Sequence, residues 1–188
     1  MEKEELKRYN RQMILPELGL EGQEKLKSAK VLMVGAGGLG CPVLQYLVAA
    51  GVGEIGIIDD DVVDETNLHR QVLFYHEDIG LKKAEVAAQK LRKLNPFITI
   101  ESFAERLSAE NANEMFMNYD LIIDGSDNFQ TRYLVNDTCV ALGKALVFGS
   151  IFKFEGQVSV FNYKNGAQYR DIFPEPPPKD EVPNCAEI

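Results

Sequence analysis

Apolar and polar positions along this chain fall into a repeating order of short apolar runs and longer amphipathic segments. Val31-Leu32-Met33-Val34 is apolar without a break, the pattern of a strand covered on both faces. Residues 38–50 then carry Leu39, Val43, Leu44, Leu47 and Val48 on one helical face, and Gly51 and Gly53 stop that helix. The alternation continues. A strand is predicted over residues 54–59, a helix over 80–94 ended by Asn95-Pro96, a strand over 98–103 and a helix over 108–117. Next come a strand over 119–124, a helix over 128–142 stopped by Gly143, and strands over 145–149 and 156–161. Two helices, 3–13 and 20–28, precede the first strand, with Pro16 between them. Strands alternating with helices predict an α/β fold: a Rossmann-like, doubly wound, mostly parallel sheet.

Residues 1–188 read as a single domain with one sizeable core. Residues 1–28 form an N-terminal helical segment. Residues 165–188 change character. From Phe173 to Pro183 the chain is rich in proline and acid, which predicts an extended crossing loop or a tail.

Composition narrows the function classes. The formal net charge is −9, so nucleic acid is not an expected partner. No apolar run approaches a membrane span, and the charged N-terminus lacks the apolar core of a signal peptide. Cys41, Cys139 and Cys185 are widely spaced and odd in number. A disulfide framework is not expected, and the reading is cytoplasmic. Cys41 and Cys139 fall inside predicted helices, as core residues do.

The chemistry concentrates at the predicted strand ends. Gly35-Ala36-Gly37-Gly38-Leu39-Gly40 lies between a strand and a helix. There, glycines let backbone N–H groups approach a phosphate at a helix N-terminus. Asp59 closes the next strand about two dozen residues beyond Gly35, the place of a ribose-binding acid, and Asp61 could share that role. Asn67, Arg70 and Gln71 are spaced to share one face of a helical turn, so an amide, a guanidinium and a second amide could meet a polyphosphate. The same spacing also suits a solvated polar helix. Lys83 is a further phosphate partner. Asp127 follows a strand end, where it could hold Mg²⁺ against phosphates or cap helix 128–142. The histidines, His69 and His76, lie outside the strand ends, whereas hydride transfer to a carbonyl usually needs a catalytic acid such as His. Adenylyl transfer to a carboxylate needs no such base, because the attacking group is already ionised. An NAD-dependent oxidoreductase and an inactive nucleotide-binding pseudo-subunit are the alternatives.

These pieces together resemble the MoeB/ThiF/HesA family, relatives of the ubiquitin-activating enzymes. The resemblance runs from Arg8-Tyr9-Asn10-Arg11-Gln12 through the glycine loop and the Asp59-Asp60-Asp61 and Asn67-Leu68-His69-Arg70-Gln71 runs. It continues through Gly80-Leu81-Lys82-Lys83-Ala84, Asp124-Gly125-Ser126-Asp127-Asn128 and Glu155-Gly156-Gln157-Val158 to Phe173-Pro174-Glu175-Pro176-Pro177-Pro178 and Pro183-Asn184-Cys185-Ala186-Glu187. It implies an adenylyltransferase that uses ATP and Mg²⁺. The substrate would be the C-terminal Gly-Gly carboxylate of a ubiquitin-like sulfur-carrier protein, with a sulfurtransferase or rhodanese as sulfur donor. The proline-rich segment is more like the MoeB branch, which points to molybdopterin cofactor biosynthesis. Activation of the thiamine sulfur carrier is the alternative.

Carried over, Gly35, Gly37, Gly38, Gly40, Asp59, Asp61, Asn67, Arg70, Gln71, Lys83, Asp127 and Asn128 hold the nucleotide. Asp127 serves Mg²⁺, Arg11 reaches across a homodimer interface to the partner's ATP, and Cys185 is the active-site cysteine. By its local sequence alone, Cys185 reads as a plain polar-loop cysteine. Many relatives carry a Cys-x-x-Cys before the Phe-Pro-Glu-Pro segment. Here those positions are Gln168-Tyr169-Arg170-Asp171, and no zinc site is expected.

Overall fold

The computed structural model describes residues 1–177. The chain begins with α1 (Lys3–Met13) and α2 (Gly19–Ser28), then β1 (Lys30–Val34), α3 (Gly40–Ala50), β2 (Glu54–Ile58), α4 (Lys83–Leu94) and β3 (Thr99–Phe103). It continues with α5 (Ala112–Met117), β4 (Leu121–Asp124), α6 (Phe129–Leu142), β5 (Ala145–Phe152), β6 (Glu155–Phe161) and α7 (Tyr169–Ile172). The six strands form one sheet in the order β3-β2-β1-β4-β5-β6. The first five run parallel, and β6 pairs antiparallel with β5. This is the expected doubly wound architecture.

Side-chain parity along each strand sorts the core into two layers. Val31, Met33, Ile55 and Ile57 face Leu44 and Val48 of α3 and Ala84, Ala87, Ala88 and Leu91 of α4. Leu32, Val34, Ile58, Ile122 and Leu146 face the other way, onto Phe116 of α5, Val135 and Cys139 of α6, and Tyr169 of α7. The order of strand addition reverses between β1 and β4, so the connections after those two strands leave to opposite faces and open a crevice at the strands' C-terminal ends.

The N-terminal helices close the opposite end. Tyr9 is buried and donates no room to spare: a Cβ at Gly51 would sit 2.6 Å from its ring. Gly51 also ends α3 with φ of +87°, a left-handed cap that glycine adopts without strain. Asn95, fully buried after α4, donates from Nδ2 to the Tyr9 hydroxyl (2.8 Å) and to the Val48 carbonyl (2.6 Å). Arg8 donates to the Leu94 carbonyl. Buried Glu5 pairs with Lys27 at 2.6 Å.

Several element bounds differ from expectation, each for a local reason. The helix predicted over 80–94 begins only at Lys83, because Gly80 takes φ of +86° and Lys82 forms a β-bridge with Val62. The helix predicted over 108–117 begins at Ala112, because Asn111 Oδ1 accepts from Ser108 N–H and turns the chain first. Strand β5 extends to Phe152, sustained by its antiparallel partner. Within the 165–188 segment, residues 169–172 form the helical turn α7. Tyr169 there is 3 % exposed, within 5.1 Å of the Phe148 ring and 4.9 Å of the Phe173 ring. The rest of the proline-rich run and Cys185 lie largely or wholly outside the described residues. No helix among the described residues is long and apolar enough to cross a membrane.

Cys41 and Cys139 are both buried, in the two separate layers. Burial pushes the Cys41 thiol up to about 11 and the Cys139 thiol up to about 12. At pH 8 both are therefore protonated and shielded, and the thiolate is the reactive form. Native protein treated with Ellman's reagent at pH 8 is expected to release no more than one rapid equivalent, and unfolding in denaturant the remaining two. Rapid native labelling of two or more thiols would contradict this burial.

Candidate nucleotide site

The crevice at the β1–β4 divergence is a cleft of about 580 Å³. Its first wall is the glycine loop, whose glycines do different jobs. Gly35 turns out of β1 at φ of +90°. Gly40 is a packing residue: a Cβ there would lie 2.1 Å from the Gly35 carbonyl oxygen. Gly37 and Gly38 face the cleft with room. A Cβ at Gly37 would meet nothing nearer than Gln71 Nε2 at 3.7 Å, and one at Gly38 nothing nearer than Arg70 at 3.5 Å. Packing within the chain therefore does not demand glycine at these two positions. Glycine at both leaves the backbone open to close approach by a ligand.

Asp59 fastens this loop to β2. Its Oδ2 accepts from the Ala36 N–H (2.7 Å) and its Oδ1 from the Asp61 N–H (2.9 Å). Burial raises the Asp59 carboxyl above its ordinary range, opposed by the Ala36 N–H and by the charge of Lys83. Two bonds leave lone pairs on both oxygens for a ligand hydroxyl.

Asn67, Arg70 and Gln71 do share one helical turn, although no long helix forms. A 3-10 turn over Glu65–Asn67 leads in, and the Asn67 carbonyl accepts from both Arg70 N–H (3.1 Å) and Gln71 N–H (2.9 Å). Gln71 is 3 % exposed, with Nε2 bonded to Asn67 Oδ1 at 3.2 Å and a buried Oε1 left without a partner. Asn67 thus stands behind Gln71 rather than on the cleft wall. Arg70 lies along Gly38, its guanidinium lightly tethered to the Thr66 carbonyl at 3.3 Å. Exposed His69 flanks it.

Lys83 is buried at the start of α4, yet its charge is already matched. Nζ donates to Asp61 Oδ2 at 2.8 Å, and its N–H donates to the Asp61 carbonyl. A phosphate would have to share this lysine with Asp61. On the β4 side, Asp127 is exposed at the cleft mouth, and its alternative role as helix cap is overturned. Asn128 caps α6 instead, accepting from Thr131 N–H at 2.9 Å. Among the described residues Asp127 has no hydrogen-bond or ion-pair partner, so its carboxylate is open to a ligand or cation. Among the described residues, the only group of three close metal-ligating side chains is Asp59-Asp60-Asp61.

Arg11 is exposed on α1, which docks against the C-terminal ends of α3 and α4, at the far end of the sheet from the cleft. It cannot reach the cleft of its own chain. Ser126, Arg132, Arg106, Ile151 and Phe152 at the end of β5, and Lys153 in the turn after it also line the cleft, and none of them is expected from the sequence. Only a charge on the inward stripe of helix 128–142 signalled Arg132.

Residues 9–188 match the ThiF family. The chain belongs to the ThiF family. It is 58 % identical over 190 residues to the sulfur carrier protein adenylyltransferase of Thermus thermophilus, covering 98 % of this chain and 70 % of that protein. It is 53 % identical over 191 residues to the probable adenylyltransferase/sulfurtransferase MoeZ of Mycobacterium tuberculosis, covering 100 % of this chain and 49 % of that one. Among solved structures, E. coli MccB with ATP aligns at a TM-score of 0.64 and 35 % identity over 68 % of this chain and 38 % of that chain. PaaA aligns at 0.80 and 25 % identity over 91 % of this chain and 55 % of that one. The chain thus spans about half to 70 % of the length of these two curated relatives.

The two kinds of glycine separate experimentally. Gly37→Ala is expected to weaken ATP binding tenfold or more with stability changed by less than ~1 kcal/mol, because its Cβ fills ligand space. Gly40→Ala is expected to lose about 2–4 kcal/mol of stability through the clash with Gly35. Denaturant titration and calorimetric ATP titration of the two variants check both. A Gly37→Ala protein that binds ATP normally would remove the cradle assignment.

Proposed function

We propose that this ThiF-family chain adenylates the C-terminal Gly-Gly carboxylate of a ubiquitin-like sulfur-carrier protein with ATP. The observation that carries the reading is the open glycine wall at Gly37 and Gly38 with Arg70 and Gln71 laid against it. That arrangement suits a polyphosphate, because backbone N–H groups, a guanidinium and an amide converge where negative charge would lie. The relatives' names as adenylyltransferases support it.

In the proposed reaction a carboxylate oxygen of the carrier attacks the α-phosphorus of ATP. The new P–O bond forms as the bond to the bridging oxygen breaks, and pyrophosphate leaves with that electron pair. The protein's part is positioning and charge neutralisation. Asp59 orients the ribose, and the glycine loop and Arg70 hold the phosphates. Lys83, shared with Asp61, offsets the charge that builds on the leaving group. Asp127 would hold Mg²⁺, which supplies further neutralisation of the phosphates. One free carboxylate beside a phosphate wall fits that ion, which usually takes one or two protein carboxylates and fills its sphere with phosphate and water.

Three further parts belong to the same reading. Arg11 acts from the partner subunit of a homodimer, which its remoteness from its own cleft requires if it acts at all. The Cys185 thiolate attacks the acyl-adenylate carbonyl, forming a thioester with the carrier as AMP leaves, and a sulfurtransferase or rhodanese supplies sulfur. The carrier belongs to the molybdopterin pathway, and the setting is cytoplasmic, in keeping with two buried free thiols.

Arg70→Ala is the direct test. Arg70 is exposed and holds nothing in the fold but a weak tether. Carrier-dependent ATP–pyrophosphate exchange is expected to fall about a hundredfold or more, the scale for removing a donor aimed at developing charge, with the melting temperature nearly unchanged. Full exchange in that variant would refute the phosphate assignment. ATP binding by the unaltered protein without any exchange would favour a pseudo-subunit, and NAD binding without ATP binding an oxidoreductase.

A further inference from the structure

Four buried side-chain polar atoms among the described residues lack a hydrogen-bond partner, and three cluster on the β4–α6 wall: Asp124 Oδ2, Ser126 Oγ and Arg132 Nε. A buried polar atom left unpaired costs about 1–3 kcal/mol, so three together call for a physical reason. Ser126 and Arg132 both line the cleft.

Arg132 is held by few bonds. Nη2 donates to the Ser126 carbonyl at 3.2 Å, and the guanidinium lies over the Phe129 and Phe148 rings at 5.1 and 5.6 Å from their centroids. Aromatic faces fix the plane of a guanidinium without consuming its in-plane N–H donors. Asp124 is the acid whose charge it feels, and the Tyr169 phenol, a hydrogen-bonding neighbour of the Arg132 side chain, faces it from α7. Asp124 accepts from the Ser126 N–H at 2.8 Å, and burial raises its carboxyl above the ordinary range against the pull of Ser126 and Arg132. Arg132 makes no ion pair with Asp124. By contrast, Lys83 is paired with Asp61, and Arg70 serves the glycine loop.

We infer that Arg132, with the Ser126 hydroxyl, forms a second oxyanion-binding corner of the cleft, distinct from the glycine-loop wall. A pre-oriented guanidinium with an unpartnered buried Nε–H, beside a hydroxyl that lies against the Asp124 carboxyl, is a donor pair suited to a carboxylate or phosphate oxygen. Within the proposed function, on which this inference rests, the oxygen comes either from the carrier's terminal carboxylate or from a phosphate of the nucleotide. Arg132 is then a substrate-binding residue that sets where the acyl and phosphoryl groups meet.

The test uses the protein with two probes: ATP, and a sulfur-carrier protein ending in Gly-Gly, prepared as the free acid and as its C-terminal amide. Binding is measured by calorimetry for Arg132→Gln, Arg132→Lys and Ser126→Ala, with melting curves for each. If the oxygen is a phosphate, Arg132→Gln weakens ATP tenfold or more and Arg132→Lys recovers part of the loss. If it is the carboxylate, ATP affinity stays within twofold and the acid form loses its advantage over the amide. In either case Ser126→Ala shifts the same probe, by threefold or more. ATP and both carrier forms within twofold of the unaltered protein in Arg132→Gln and Ser126→Ala would overturn the inference. Should Arg132→Gln fail to fold, Ser126→Ala and Arg132→Lys decide it by the same criterion. An unaltered protein that binds ATP without pyrophosphate exchange defeats the adenylation reading and leaves the ATP measurement to judge Arg132. An unaltered protein that binds neither probe defeats both.

Discussion

The bond from the Ala36 N–H to Asp59 Oδ2, 2.7 Å long, is the contact on which the site depends. Ala36 is fully buried at the bend of the glycine loop, and Asp59 is the first residue beyond β2. One carboxylate therefore joins the ends of two adjacent parallel strands and leaves the next residues, Gly37 and Gly38, facing the cleft. The bond holds a carboxyl whose burial works against its charge. An N–H donor and the nearby Lys83 oppose that penalty, so the acid that positions the loop is coupled to the cation at the start of α4.

From that junction the cleft divides by chemistry. The β1–β2 side carries the groups that the proposed reaction assigns to the phosphates: open glycines, Arg70 along Gly38, and buried Gln71 braced by Asn67. The β4–α6 side carries exposed Asp127, freed because Asn128 performs the capping, and Arg132 planted between aromatic rings. A nucleotide lying across the divergence of β1 and β4 would touch both sides. A carboxylate and an α-phosphate need such an arrangement if they are to be held near each other without neutralising the same cation.

Charge placement explains how an acidic chain, with a formal net charge of −9, can serve a polyanion. Its cations are not spread evenly. Arg70, Lys83, Arg106, Arg132 and Lys153 all border one cleft. Local field, rather than net charge, governs what binds there. Lys83 shows the limit of counting charges, since Asp61 already occupies it at 2.8 Å.

Much of this was legible in sequence order. The apolar runs at 31–34, 55–58 and 121–123 can be satisfied only by burial on both faces, so a parallel sheet with helices on each side follows from pattern alone. The glycine spacing, Asp59 and the Asn67–Arg70–Gln71 turn were readable because each depends on contacts within a few residues or on a known strand-to-helix geometry. Tertiary structure decided the rest. Gly37 and Gly40 look alike in sequence, yet one faces open space and the other the Gly35 carbonyl at 2.1 Å. Lys83 and Asp61 lie 22 residues apart in the chain and become partners only because α4 returns to the end of β2. Arg11 sits at the foot of the sheet because Tyr9 and Asn95 dock α1 there, and Arg132 enters the cleft because α6 packs its first turns against Phe148. Local sequence determines what a residue can do, while the packing of distant segments determines which partner is within about 3 Å, and at that distance hydrogen bonds and ion pairs are made or lost.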